Sequence, residues 1–225
     1  MIRKEKLDQL KEIVEEFKTI KKEKIVKDEK DKFLKSEVYR YYLNDGSNIV
    51  RERLIKGGND GSAAIIIPKL ENGEFLTIIE PRVHTDLTVG IGFPAGYIEN
   101  HELAKEGALR ELQEETGYSS DYLILLDSFY QDEGVSKALN RIYLALDCKK
   151  VSDQKLDKEE KIKFITFTKE EISELEKLKY IMGVNTKLAI ERLYSAEVIS
   201  SINDVDGNKK STEEKYKILK KAYEN

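Results

Sequence analysis

The sequence predicts an α+β fold in which helices are set among mostly antiparallel strands. Three observations carry that reading. Apolar residues recur at helical spacing in separate segments near the start, the middle and the last third of the chain. Short segments rich in Ile, Leu, Val, Tyr and Phe run between them, punctuated by Asn-Asp-Gly and Glu-Asn-Gly turn signals. No internal repeat points instead to a solenoid or propeller.

The elements follow in order. Leu7, Leu10, Val14 and Phe17, flanked by Ile13 and Ile20, form one apolar stripe on a helix, able to pack on the body of the protein or on a second subunit. Residues 37–56 read as two strands around Asn44-Asp45-Gly46. The glycines and Asn-Asp of 57–61 suit a linker. SAAIIIPKL and EFLTIIEPR, joined by Glu71-Asn72-Gly73, predict a second hairpin with near-continuous apolar strands buried on both faces. A helix spans Glu102 to Thr116, followed by the strands YLILLDSFY, LNRIYLALDC and KIKFITF. Thr168-x-x-Glu opens another helix, and NTKLAIERLYSAE a further one. The tail offers Ser211-x-x-Glu214 as the start of a short basic helix.

Composition narrows the function classes. The 225 residues carry 36% charged side chains but a net charge of only −4, which argues against a nucleic-acid scaffold. No apolar run is long enough to span a bilayer, and the N-terminal residues lack the apolar core of a signal peptide. The expectation is a cytoplasmic protein with neither membrane nor nucleic acid as partner. The single cysteine, Cys148, lies in an apolar run and reads as a semi-buried structural thiol.

One window stands apart: FPAGYIENHELAKEGALRELQEETGY, residues 93–118. Glu111, Glu114 and Glu115 lie three and four apart on one helix, so at about 100° per residue they project within one sector. Like charges at that spacing repel and call for a counter-charge. Carboxylates on a rigid element are the hard oxygen donors that Mg²⁺ or Mn²⁺ prefers, usually shared with substrate phosphate. Ala104, Gly107 and Ala108 share the sector of Glu111 and Glu115, leaving room for metal and phosphate, and Gly107 costs the helix roughly 1 kcal/mol. Leu109 and Leu112 face the other way, toward a core. Gly117 suits a helix C-cap and Gly96 a tight turn ahead of the helix. Glu-rich helices such as KEEISELEKLK are common as solvated surface, so the acids alone do not decide the matter. The ordered string with both glycines and Arg110 does.

From Gly96 to Tyr118 the string resembles the Nudix box, Gly-x5-Glu-x7-Arg-Glu-U-x-Glu-Glu-x-Gly-U with U bulky and apolar, at every fixed position. Leu112 and Tyr118 stand at the two U positions. Similarity to the ADP-ribose pyrophosphatase branch extends from about Gly61 to about Arg192. The resemblance implies the Nudix fold, mixed sheets sandwiched between helices, here with an N-terminal helix and a small β appendage. It divides the chain into an N-terminal part, 1–58, a hydrolase domain, 59–200, and a C-terminal tail, 201–225. It implies Glu111 and Glu115 as direct metal ligands, Glu114 as a direct or water-mediated one, and the Ala95 carbonyl as a backbone ligand. Gly96 would lie against substrate. Glu102 would pair with Arg110 and orient the metal helix. Eight residues are about 12 Å of helix rise, so that bridge needs Glu102 at or before the helix start, and Glu106 is a competing local partner.

Other segments resemble the same branch. Arg82, ending IIEPR, matches an Arg that binds substrate phosphate. FYQDEGVSKALNRIYLA resembles a Tyr-x-Ser-Pro-Gly-x-Ser-x-Glu segment, with two departures: Asp132-Glu133-Gly134 replaces Ser-Pro-Gly, and Ala138 stands where Glu is usual. Aligning on KIKFITF places Glu160, with Glu159 beside it, where the branch carries its water-activating carboxylate. The stacking aromatics of the branch are often Trp; this chain has none, and Tyr39, Tyr41 and Tyr42 are the substitutes, with Tyr39 and Tyr41 on one strand face. His84 and His101 read as polar surface. The implied activity is Mg²⁺-dependent hydrolysis, with Mn²⁺ as a possible replacement, of a nucleoside diphosphate such as ADP-ribose, by a homodimer joined through the N-terminal region. The alternative is a Nudix-fold module that binds a nucleotide sugar and regulates a partner without cleaving it.

Overall fold

The structure is a computed structural model that describes residues 1–25, 28, 32–56, 60–195, 198 and 210–223. The predicted linker at 57–59, the end of the predicted helix at 196–197 and the loop at 201–209 lie outside the described residues. The helices are α1 (Lys4–Phe17), α2 (Ala104–Thr116), α3 (Lys169–Lys177), α4 (Val184–Leu193) and α5 (Thr212–Tyr223). The strands are β1 (Leu34–Tyr42), β2 (Asn48–Lys56), β3 (Ala63–Leu70), β4 (Phe75–Arg82), β5 (Thr88–Gly92), β6 (Ala95–Tyr97), β7 (Tyr118–Ser119), β8 (Tyr122–Tyr130), β9 (Leu139–Lys150) and β10 (Lys163–Phe167). The α+β expectation holds. The short strands β5, β6 and β7 go beyond the sequence reading; two to five residues carry too little pattern to be legible.

The predicted second hairpin forms around Glu71-Asn72-Gly73, but its strands part soon after the turn. β3 and β4 pair only beside their turn, at Lys69 and Phe75. Beyond it they diverge, each into its own group of strands. β3 runs parallel to β9 and antiparallel to β6, while β8 covers the other edge of β9. β4 lies between β5 and β10, antiparallel to both. The apolar run of β3 is explained by alternation onto two cores. Ile65 and Ile67 face the large core with Ile142, Leu144 and Phe167, whereas Ala64 and Ile66 face a smaller one with Ala108 and Leu112 of α2. Helix α2 therefore covers one face of the β3–β9–β8 sheet, and the other helices bury their stripes in the large core. This is the expected arrangement of sheets between helices.

The N-terminal stripe packs on the body of its own chain. Leu10 and Ile13 are buried in the large core, each contributing about 1.5–3 kcal/mol by burial. Arg3 fixes the start of α1, its guanidinium and backbone N–H donating to Glu171 and a second arm meeting Glu74 at 2.7 Å. Glu171 also completes the predicted capping box with Thr168. The box at Ser211 and Glu214 forms as well, and α5 buries Leu219 in the large core. By contrast β1 and β2 form a separate, exposed two-stranded hairpin, turning at Gly46, that reaches the body through Leu54 N–H on the Val135 carbonyl. Cys148 is buried, and burial pushes its thiol pKa up to about 12, in keeping with an inert structural role. No helix among the described residues is long and apolar enough to cross a membrane.

Candidate active site

Helix α2 lies beside β6, whose flanks are tied down by Ile66 N–H donating to the Pro94 carbonyl and Ile98 N–H donating to the Ser62 carbonyl. Leu112 is fully buried and Leu109 packs partly, so the core-facing side of α2 is as expected. The small-residue face is not. Ala108 packs into the core beneath the sheet, and Gly107 is covered by the carboxylate of Glu102, where a Cβ would come within 2.7 Å of Oε2. The small residues serve close packing and the seating of Glu102 rather than open space for metal and phosphate. Gly96 plays the corresponding part on β6: a Cβ there would stand 2.0 Å from the Glu111 carboxyl carbon.

Glu102 precedes the helix, two residues before Ala104, which is the condition for its bridge to Arg110. Arg110 Nε donates to Glu102 Oε1 at 2.8 Å and Nη2 to Oε2 at 3.0 Å. The same guanidinium reaches Glu111 at 2.8 Å, Glu114 at 2.9 Å and the Tyr97 carbonyl at 2.9 Å. Glu106, the competing partner, instead accepts from the Leu103 N–H at the helix start. The hydrogen bonds from Arg110 hold the Glu102 carboxyl below its ordinary range.

The acids face a hollow of about 620 Å³ that is lined by Glu80, Arg82, Ala95, Gly96, Arg110, Glu111, Glu114, Glu115 and Glu160, among others. Glu115 is buried and accepts from the Ala95 N–H at 3.0 Å. Burial raises its pKa well above the ordinary value, and the charges of Glu111, Glu80 and Glu160 add to the rise. Burial likewise lifts Glu111 to about 6 against the pull of Arg110, and lifts Glu80 against the pull of Arg82. Four carboxylates thus repel one another across one hollow. Among the described residues, no three acidic, His or Cys side chains are gathered closely enough to hold a metal between them. Glu111 and Glu114 turn to Arg110, and Glu115 to a backbone N–H. The donor set nonetheless fits a divalent cation in chemistry: hard oxygens, largely desolvated, whose mutual repulsion a cation relieves.

The other sequence-derived residues divide. Arg82 lines the hollow and pairs with Glu80, and Glu160 lines it too, its carboxylate accepting from Asp157 N–H at 2.9 Å. The loop that bears Glu160 is tied to α2 by Gln154, which donates to the Glu115 carbonyl, and by Lys155 N–H on the Glu114 carbonyl. Tyr39 and Tyr41 share one face of β1, rings 6.1 Å apart, but neither lines this hollow or the larger one beside it. His84 lines a second, larger hollow, and His101 lines neither. Sequence reasoning missed Glu80. Its signal was a lone acid in the otherwise apolar strand FLTIIEPR, two residues before Arg82. It also missed Tyr97, Lys155 and Lys161 on the walls, for which no pattern in the chain gave a signal.

Comparison with known proteins places this geometry. Residues 60–184 match the sequence model of the NUDIX domain. The chain is 27% identical over 187 residues to an ADP-ribose pyrophosphatase of Bacillus subtilis (strain 168), covering 83% of this chain and 97% of that one. It is 30% identical over 185 residues to a methanol dehydrogenase activator of Bacillus methanolicus, covering 82% and 96%. Among solved structures, that of an ADP compounds hydrolase superposes with a TM-score of 0.61 at 21% identity, over 76% of this chain and 88% of that one.

Proposed function

The chain belongs to the NUDIX domain family and is a Nudix hydrolase, and from that premise we propose that it uses Mg²⁺ to cleave the diphosphate bond of a nucleoside diphosphate joined to a second group, ADP-ribose foremost. The observation that carries this reading is the meeting of Glu80, Glu111, Glu115 and Glu160 on one hollow that Arg82 also enters. The relative named for ADP-ribose pyrophosphatase activity supports the substrate class.

In this reading Glu111, Glu114 and Glu115, with the Ala95 carbonyl, hold the metal. Mg²⁺ when bound neutralises charge on the diphosphate and lowers the pKa of water. Arg82 grips the diphosphate with its planar fork, and the Gly96 backbone, on the wall of the hollow, lies against substrate. Glu160 takes a proton from the attacking water as its oxygen bonds to phosphorus and the bridging P–O bond breaks. From ADP-ribose the two halves leave as AMP and ribose 5-phosphate. Arg110 and Glu102 keep α2 and its acids oriented. A homodimer and a cytoplasmic setting belong to the same proposal. So does stacking of the base by Tyr39 or Tyr41 of a second copy, since the exposed β1–β2 hairpin places neither at its own hollow.

The relative named methanol dehydrogenase activator supports a second reading, in which the chain binds a nucleotide sugar and acts on a partner protein. A single assay separates the two. A panel of nucleoside diphosphate compounds is incubated with the protein and Mg²⁺, and products are resolved by chromatography. Nucleoside monophosphate released from ADP-ribose, and abolished by chelator, is the expected result. Binding without product across the panel selects the second reading.

A further inference from the structure

Beside the acidic hollow lies a larger one of about 900 Å³, and the two share Glu80, Arg82, Ala95, Gly96 and Tyr97 as a common wall. Its remaining lining is mostly apolar, with Ile65, Val89, Ile91, Phe93 and Tyr180 among it. One polar side chain is out of place there. Asn140 of β9 belongs to the core-facing series that continues as Ile142, Leu144 and Leu146, and it is 1% exposed. Its Nδ2 donates to Asn185 Oδ1, on the first turn of α4, at 3.2 Å. Its Oδ1 is buried with no hydrogen-bond partner among the described residues. Among the described residues the only other such side-chain atom is Arg53 Nε, in the β2 strand and away from both hollows. A buried amide carbonyl without a donor is destabilising, so a side chain of this kind in a core strand calls for a ligand that supplies one.

We propose that Asn140, steadied by Asn185, reads the hydrogen-bonding edge of the substrate's nucleobase at the floor of the larger hollow. The inference rests on the diphosphate hydrolase reading: a substrate gripped at Arg82 has its phosphates at the common wall and its base in the apolar hollow beyond. A planar base suits such walls. The Asn140 amide presents an acceptor, Oδ1, beside the second Nδ2 hydrogen, the pattern that complements the amino group and neighbouring ring nitrogen of adenine. Oδ1 is shut off from solvent as the side chains stand, so contact with a base requires the side chains around it to shift. A site built to satisfy such a group discriminates against an analogue that lacks the donor.

The test measures binding of AMP and of its 6-desamino analogue, which keeps ring, ribose and phosphate, to the wild type, Asn140→Leu and Asn185→Ala, with hydrolysis of ADP-ribose assayed separately. The wild type should bind AMP about tenfold tighter than the analogue. Asn140→Leu should erase that preference, and Asn185→Ala should narrow it. Equal binding of the two ligands by the wild type overturns the proposal, as does no measurable binding of AMP, or an undiminished preference in a folded Asn140→Leu. Should Asn140→Leu fail to fold, as judged by thermal melting, an undiminished preference in Asn185→Ala overturns it instead. Preference that depends on these asparagines, in a protein that hydrolyses no nucleoside diphosphate, upholds the base-reading role while the hydrolase reading falls. Hydrolysis with no dependence on either asparagine does the reverse.

Discussion

Arg110 lies between Glu102 on one side and Glu111 and Glu114 on the other. A guanidinium has five donors in a rigid plane, and here all its directions are used, which fixes the acids as well as the arginine. The sequence left two candidates for its anchor, Glu102 about two turns ahead and Glu106 about one, and spacing alone is too coarse to choose. The structure selects Glu102, because the helix begins after it and leaves its side chain free to fold back, while Glu106 caps the Leu103 N–H. Glu102→Gln should therefore lower kcat roughly 10–100-fold, the usual cost of losing a group that orients metal ligands. Glu106→Gln should leave kcat within about twofold, the range of an exposed cap residue. Steady-state kinetics on ADP-ribose decide this, and equal losses in the two variants would contradict the assignment. The acids were legible at this scale because three fixed carboxylates at helical spacing are a strong local pattern. Glu80 was not, because its importance arises only when β4 and α2 meet across the hollow.

Helix α2 shows how packing and chemistry share one element. Its C-terminus closes at Gly117, with φ of 76° and its N–H on the Gln113 carbonyl, as the sequence indicated. Its glycine at 107 is a different case. Replacing it by alanine raises helix propensity by about 1 kcal/mol, yet the added methyl meets the Glu102 carboxylate. A carboxylate can move aside, so the fold tolerates the change while the Arg110 clamp loosens. Gly107→Ala should thus keep or raise the melting temperature and lower kcat; a variant with unchanged kcat would show that Glu102 does not need its seat. The strands teach a complementary lesson. Apolar runs and an Asn-Gly turn announced β3 and β4, but not their divergence into separate groups of strands, because a strand buried on both faces carries no signal for its neighbour.

For the molecule as a whole, the apolar stripe of α1 is turned to the chain's own core through Leu10 and Ile13. The exposed hairpin, with Val38, Tyr39, Tyr41 and Val50 uncovered, is what remains to support a homodimer. Light scattering at micromolar concentration should give a dimer, and a monomer both with and without substrate would contradict it. The contact between α1 and α3 sets a second global property. Burial would raise the Glu171 carboxyl, but hydrogen bonds from Arg3 and from the Thr168 N–H prevail and hold it at about 2, below its ordinary 4.5. A depressed acid stabilises the fold above its unfolded pKa, and that contribution fades as pH falls from about 4.5 toward 2. Denaturation between pH 7 and pH 3 should show wild type losing its advantage over Glu171→Gln across the acid part of that range. A constant difference would mean that the ion pair carries no linkage. This tie between the first residues and a helix 168 positions away was invisible in sequence, where Arg3 and Glu171 are two charges among many.

The central claim is that the acids of α2 form a metal-dependent centre for cleaving a diphosphate. ADP-ribose turnover by wild type and Glu115→Gln, measured side by side across a Mg²⁺ titration, tests it most directly. The exchange keeps the shape of a buried side chain and removes its charge, so folding should persist. Wild type should release AMP only with metal present, and the variant should lose more than the roughly 10–100-fold that outer-shell partners cost. Turnover independent of Mg²⁺, or near-normal turnover by a folded Glu115→Gln protein, would contradict the account.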